Sequence, residues 1–360
     1  MNAAKNGANG KDASRKASNG KSKAPNGKSN GASQSAVYDE SKVKTLSSLE
    51  HIRLRSGMYI GRLGDGTDPD DGIYVLAKET VDNAVDEYIM GHGRKIDITV
   101  KDGRVTVRDY GRGIPLGKVV DCVSIINTGA KYNDDVFQFS VGLNGVGCKA
   151  VNALSSDYRV VAYRGGKYSE AVFSRGKLLS QKKGKVAGEP DGTRFEFVPD
   201  EEIFGEYAFD EEYLERRMWN YACLNSGLTL NFNKKKFISR QGLLDFLKAE
   251  VGDEGIYEPA YYKGQHIEFA FTHTTNYGET HFSFVNGQHT TDGGTHQRAF
   301  REGVLKGVNE YFKKNYNGPD VRESLSAAVA VKLQNPVFES QTKNKLGNTE
   351  IRGWIVNEVK

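Results

Sequence analysis

Residues 78–113 read KETVDNAVDEYIMGHGRKIDITVKDGRVTVRDYGRG, and the order of helix, strand pair and glycines in this stretch decides the fold. Val81, Ala84, Val85 and Tyr88 recur at helical spacing and predict a core-facing stripe. Glu79, Asp82, Asn83 and Asp86 form a second stripe at i, i+3, i+4 and i+7, with no basic partner among them. Like charges at i,i+4 repel, so such a stripe is expected to face a cation. After a short loop, residues 96–100 and 104–108 read as two strands joined by a tight turn at Asp102-Gly103. The second strand runs into Asp109-Tyr110-Gly111-Arg112-Gly113. A carboxylate thus stands at a strand end, before glycines whose missing Cβ lets a ligand approach the backbone.

Working outward, residues 142–147 (Gly-Leu-Asn-Gly-Val-Gly) close a polar, glycine-rich stretch, 128–147, and lead into a helix through Leu154. Loops this long are usually lids or disordered segments. Free N–H groups and the positive dipole end of the helix would face an anion, and Asn144 can add a donor. Two other phosphate-loop readings fail. Residues 111–118 look like a Walker A loop, but that pattern needs Gly where Arg112 stands and Ser or Thr where Val119 stands. The GxGxxA match at 145–150 follows no clear apolar strand, as a dinucleotide fold requires. On residue chemistry alone, Asn83 suits Mg²⁺, which takes few protein ligands and fills its shell with phosphate oxygens and water. Glu79, one turn away, suits a general base. Asp109 suits an acceptor for the exocyclic amine of a base. Each residue alone reads more readily as a solvated acid or turn former; their order together with the glycine loops reverses that and favours a nucleotide site.

The chain has 360 residues, enough for two domains. It has no apolar run of the ~18 residues a membrane helix needs and no apolar N-terminal signal segment. Cys122, Cys148 and Cys223 are scattered and form no CxxC pair, which argues against a disulfide framework or zinc site and fits a reducing compartment. Residues 1–37 carry six Lys, one Arg and one Asp, a net +6 against +4 for the whole chain, so the remainder is −2. This segment holds five Asn-Gly pairs and almost no bulky apolar residue, and is expected to be a disordered basic tail. Further along, residues 56–61 read as a turn and short extended piece. Strands are expected at 158–164, 168–174, 193–198, 228–232, 267–272 and 281–285, with helices at 49–55, 119–127, 209–224, 242–251 and 293–312. A loop-like change of composition at 252–264 marks the expected domain boundary, near residue 250.

On these residues the chain resembles the GHKL ATPase superfamily, and within it the ATPase region of the B subunit of bacterial type IIA DNA topoisomerases, over about residues 38–360. Glu79-x-x-Asp82-Asn83 resembles the family's N box; Asp109-x-Gly111-x-Gly113 and 142–147 its two glycine boxes; Asp191-Gly192-Thr193 its threonine motif. Those boxes are shared with MutL and Hsp90. Gly57-Met58-Tyr59-Ile60-Gly61, Asp292-Gly293-Gly294-Thr295-His296 and Gln341-Thr342-Lys343-x-Lys345 are closer to topoisomerases.

The resemblance implies an α+β fold: a Bergerat-type ATPase sandwich over 38–250, then a smaller α/β transducer domain over 251–360. It implies ATP and Mg²⁺ as cofactors, with Glu79 as general base and Asn83 as metal ligand. Asp109 would read adenine, with Gly111, Arg112, Gly113, Ile114 and Pro115 around the ring and Thr193 in support. Lys131, Asn144, Gly145, Val146 and Gly147 would cradle phosphates; Gln341 and Lys343 would reach the γ-phosphate; Tyr38 would lie in an arm reaching a partner subunit's nucleotide. Expected partners are double-stranded DNA, an A-type topoisomerase subunit and a second copy of the chain held by ATP, in the cytoplasm. Two departures stand out. The histidine found one turn before the catalytic Glu in gyrase B is Val75 here, leaving Lys78 or water to orient Glu79, and the second glycine box has Asn144 in place of His. The chain ends before the family's Toprim domain would begin, as expected of an ATPase fragment. The rival readings are a mismatch-repair ATPase and a dimer clamp that holds ATP without turning it over.

Overall fold

The computed structural model describes residues 39–129, 145–340 and 343–360. The basic tail, Tyr38, Lys131, Asn144 and Gln341, and most of the 128–147 stretch, lie outside the described residues. The chain divides into two units, Met1–Thr45 and Leu46–Lys360. The described part of the first unit carries a 3-10 turn, Glu40–Lys42.

From Leu46 the elements are α1 (Ser48–Leu54), α2 (Gly57–Ile60), α3 (Gly72–Ile89), β1 (Lys95–Lys101), β2 (Arg104–Asp109), α4 (Val119–Ser124), α5 (Gly147–Ala153), β3 (Ser155–Arg164), β4 (Lys167–Ser174), β5 (Lys177–Lys185), β6 (Gly192–Pro199), α6 (Glu201–Phe204) and α7 (Glu211–Leu224). Then come β7 (Thr229–Phe232), β8 (Lys235–Phe237), α8 (Leu243–Val251), β9 (Ala260–Lys263), β10 (Ile267–His273), β11 (Thr280–Val285), β12 (Gln288–His289), α9 (Thr295–Phe312), α10 (Gly318–Arg322), β13 (Leu325–Val331) and α11 (Arg352–Val359). The local causes are visible in the residues. Helix α1 opens on a capping box in which Ser47 and Glu50 satisfy each other's backbone N–H groups. The β1–β2 hairpin turns through Asp102 and Gly103, both at positive φ as a two-residue Asp-Gly turn requires.

The fold class is α+β, as the resemblance implies. Eight strands form a mixed sheet in the order β5-β4-β3-β6-β2-β1-β7-β8. Its one parallel pairing among the described strands is β1 with β7, for which Ile96 lies opposite Leu230. Ile73, Leu76, Ala77, Val81, Ala84 and Val85 of α3 pack with Ile96, Ile98, Val105, Val107, Val160 and Phe197 of the sheet. The helical apolar stripe and the strand alternation therefore meet in one core.

A five-stranded sheet, β12-β11-β13-β10-β9, follows. Central β13 (LSAAVAV) buries both faces. Ala327, Val329 and Val331 face α9 and α11 with Phe300 and Ile355, while Ala328 faces Phe246 of α8. Such two-sided burial explains why six of its seven residues are apolar, with a buried Ser326 the exception.

Three expectations change. Residues 57–60 are a helical turn, not extended. Strand β5 carries no strand signal, because KLLSQKKGK alternates no apolar residue: it is an exposed edge strand, and lysines on an edge discourage further pairing. The helix at 119 stops at Ser124.

Candidate functional site

Helix α3 presents Glu79 and Asn83, one turn apart, to the start of α5. Asn83 Nδ2 donates to the Glu79 carbonyl oxygen at 2.8 Å and to Cys148 Sγ at 2.9 Å. A Cβ on Gly147 would stand 1.8 Å from Glu79 Oε2, so only glycine leaves room for that carboxylate. Two of the expected residues are thus brought together with the second glycine box.

A turn further along α3, Glu87 accepts from the Arg112 backbone N–H at 2.8 Å, from Nε at 3.1 Å and from Nη2 at 3.0 Å. A Cβ on Gly111 would meet Glu87 Oε2 at 2.6 Å. This fork folds the end of β2 onto the helix. Glu87 was missed as a site residue, although its spacing of four from Asn83 was the signal.

Asp109 is buried at the end of β2. Its Oδ1 accepts from Gly111 N at 2.9 Å and its Oδ2 from Thr193 N at 3.1 Å. The Thr193 hydroxyl accepts from Ile114 N at 3.3 Å. Gly192 and Gly113 have positive φ. A Cβ on Gly192 would fall 2.3 Å from the Asp109 carbonyl, and one on Gly113 2.6 Å from that of Tyr163. Burial, with the Glu87 charge in the same sense, pushes Asp109 up to about 6, against the pull of the Gly111 and Thr193 amides. Asp109, Gly111, Gly113, Ile114 and Thr193 are therefore assembled; Pro115 follows, exposed.

Gly145, at φ +58°, Val146 and Gly147 lead α5. Lys149, buried within α5, donates from Nζ to Thr128 O at 2.7 Å and to Gly145 O at 2.6 Å. One ammonium thus ties together the two flanks of residues 130–144. In the sequence Lys149 is an unremarked position inside the GxGxxA string.

The acidic stripe is corrected. Asp82 does not share the Glu79–Asn83 face: it is buried beneath α7, with Lys78 Nζ at 2.5 Å and the Tyr221 hydroxyl donating to it. A basic partner thus exists, one residue before Glu79. Lys78 is committed there and does not orient Glu79, and Val75 packs against the first core.

Around the five-stranded sheet, the Asp292–Thr295 turn docks the segment after Lys343. Asp292 N donates to Asn344 O at 2.9 Å, Thr295 N to Leu346 O at 3.1 Å, and Leu346 N to Gly293 O at 3.1 Å. Lys343 is buried, with φ +60°, so it is not a solvated surface lysine.

Two family models match. "Histidine kinase-, DNA gyrase B-, and HSP90-like ATPase" covers residues 69–203, and "DNA gyrase B" covers 242–360. The chain is 61% identical over 323 residues to the B subunit of DNA topoisomerase 4 from Borreliella burgdorferi, covering 89% of this chain and 54% of that protein. It is 36% identical over 350 residues to the B subunit of DNA gyrase from Clostridium acetobutylicum, with the same coverage. The chain thus spans about half the length of the curated relatives it matches. The crystal structure of the 43K ATPase domain of Thermus thermophilus gyrase B, in complex with an aminocoumarin, superposes with a TM-score of 0.70 at 33% identity, covering 87% of this chain and 88% of that one. The ATPase region of Saccharomyces cerevisiae topoisomerase II shares the fold, with a TM-score of 0.73 at 21% identity. Matched at 33% identity over 88% of the Thermus thermophilus gyrase B ATPase domain, the chain belongs to the family of type IIA topoisomerase B-subunit ATPase regions.

Proposed function

We propose that this chain binds ATP with Mg²⁺ and hydrolyses it. The observations that carry this reading are the meeting of Glu79, Asn83 and Gly147 and, at the end of β2, the buried Asp109 held by Gly111 and Thr193. Asp109 accepts from the adenine amine, since each of its oxygens keeps a lone pair beyond the one given to Gly111 or Thr193. Thr193 holds that carboxylate in place. Ile114 and Pro115 flank the ring. Arg112, its charge answered by Glu87, offers the flat face of its guanidinium. Gly145, Val146 and Gly147 offer backbone N–H groups to the phosphates, joined by Lys131, Asn144, Gln341 and Lys343.

The residues fit Mg²⁺ in one specific way. Asn83 donates its amide nitrogen to Glu79 O and Cys148, and in this reading its side-chain oxygen would be the metal ligand. Among the described residues no three His, Cys, Asp or Glu side chains converge on a metal position, so a cation here takes most of its shell from phosphate and water. Bound Mg²⁺ would neutralise phosphate charge. Glu79 takes the proton of the attacking water, and positioning with electrostatics supplies the rest of the rate.

In the whole protein, closure on ATP joins two copies and gates passage of double-stranded DNA, in concert with an A-type subunit, in the cytoplasm. The division into an ATPase part and a transducer part near residue 250 belongs to this reading. The test is Glu79→Gln. ATP binding should persist while phosphate release falls ~10²–10⁴-fold, the usual worth of a general base. Turnover within tenfold of wild type sinks the assignment. One observation supports a second reading, a clamp that holds ATP without hydrolysing it: neither Val75 nor Lys78 orients Glu79. Steady-state phosphate release by the wild type separates the two.

A further inference from the structure

Asp82 is 1% exposed, and both of its oxygens are held, Oδ2 by Lys78 Nζ and Oδ1 by the Tyr221 hydroxyl. Burial keeps that hydroxyl far above its usual range, so Tyr221 donates and does not ionise. Arg217, one turn before Tyr221 on α7, gives Nε to Tyr213 at 2.8 Å. Helix α7 is itself fixed. Trp219, Cys223 and Leu224 pack with Leu243 and Phe246 of α8 and with Phe284 and Ala328 of the five-stranded sheet.

Apolar packing lets a helix turn about its axis by small steps. A buried carboxylate with two directed bonds does not, because each lost partner leaves a desolvated charge uncompensated. Residue 82 stands about 60° from residue 79 and about 100° from residue 83 around a helix of 3.6 residues per turn. Anchoring Asp82 therefore fixes the direction in which Glu79 and Asn83 point.

We propose that Tyr221, acting through Asp82, is the positioning residue that sets Glu79 against Gly147, in place of the side chain that Val75 lacks. The inference rests on the reading of Glu79 as general base and adds to it an anchor on α7, which also ties the catalytic helix to the five-stranded sheet.

Tyr221→Phe removes one hydroxyl and keeps the ring. With the full chain, well below the melting temperature, kcat for ATP should fall at least about fivefold while KM and nucleotide Kd stay within about twofold. A crystal structure of the variant should show the Glu79 carboxylate displaced from Gly147. An unchanged kcat overturns the proposal. So does a loss of kcat and KM in step with melting, which is a packing defect alone. Glu79→Gln run beside it isolates the parent reading. If wild type shows no Glu79-dependent turnover, that reading fails, and the crystal structure alone then decides the positioning role: Glu79 unmoved in Tyr221→Phe overturns it.

Discussion

The Glu79 carboxylate rests on Gly147 at the first turn of α5, so closely that a methyl group there would come within 1.8 Å of Oε2. The atom it would strike is the free end of a flexible side chain, which can swing aside at little cost to folding. Alanine also suits a helix better than glycine, by roughly 0.5–1 kcal/mol. Gly147→Ala should therefore fold at least as well as wild type and bind nucleotide, while turnover falls about a hundredfold as the base loses its position. Melting curves and phosphate release on the same preparation check this. A variant that melts normally and hydrolyses normally would mean that Glu79 does not work from this position.

Asp109 supplies a pH signature. Its carboxyl is raised to about 6 in the fold. Its contribution to the stability of the ligand-free chain is thus present below the ordinary carboxylate range and lost as pH rises through about 6. Binding of an amine donor runs the other way, because it needs the ionised form. Lowering the pH from 7.5 to 5.5 should weaken ATP affinity roughly fourfold, the fraction of carboxylate that protonates. Asp109→Asn turns a donor toward the amine and should lose more affinity than that at every pH, with the pH dependence gone. Calorimetric titrations at the two pH values measure both effects. Equal affinity of the wild type for ATP and GTP would remove the adenine contact.

Much of the site is legible in residues 78–113 because local rules set it. Helical spacing brings Glu79 and Asn83 together, and glycines mark where Asp109 and Thr193 meet. What the sequence hides are contacts made across long separations. Lys78 reads as a candidate to orient Glu79 until Asp82 is seen beneath Tyr221, 139 positions away. Lys149 reads as filler until its ammonium is found on Thr128 and Gly145. Strand β5 is held by β4 rather than by its own pattern, so periodicity passes it over. The Asp-Gly-Gly-Thr-His string is recognisable by resemblance alone, and its physical work, docking residues 344–346, depends on backbone atoms that no side-chain pattern reports.

His296 in that string is buried, with Nε2 3.1 Å from the Thr290 hydroxyl, and burial lowers its pKa to about 3. The folded chain keeps it neutral while the unfolded chain protonates it near 6.5. Stability should fall as pH drops below that value and continue to fall toward 3, at up to about 1.4 kcal/mol per pH unit. His296→Gln should be less stable near neutrality and lose less stability between pH 6.5 and 4.5. Urea unfolding at both pH values tests it. Parallel pH dependences in wild type and variant would place the acid sensitivity elsewhere.

Lys343 is the residue through which, in the proposed function, the five-stranded sheet would sense the nucleotide. Its backbone N–H bonds Ser340 O at 3.1 Å, and the residues after it are docked on the Asp292–Thr295 turn. Gly294, at φ +131°, sits so close that a Cβ would come within 2.4 Å of the Leu346 carbonyl oxygen and 2.5 Å of its nitrogen. Unlike the end of Glu79, that neighbour is backbone and cannot swing away. A lysine on the γ-phosphate would distinguish ATP from ADP, and so tie the position of the sheet to the state of the nucleotide. Lys343→Ala should leave ADP affinity alone, weaken dimerisation with a non-hydrolysable ATP analogue and slow hydrolysis. Gly294→Ala should reproduce that pattern by shifting the docked segment, with an added loss of stability from strain at positive φ. Analytical ultracentrifugation with the analogue, beside ADP titrations, reads both variants. If Lys343→Ala dimerises as readily as wild type, the sensor is elsewhere. If Gly294→Ala melts lower yet dimerises normally once folded, the docked backbone serves stability alone.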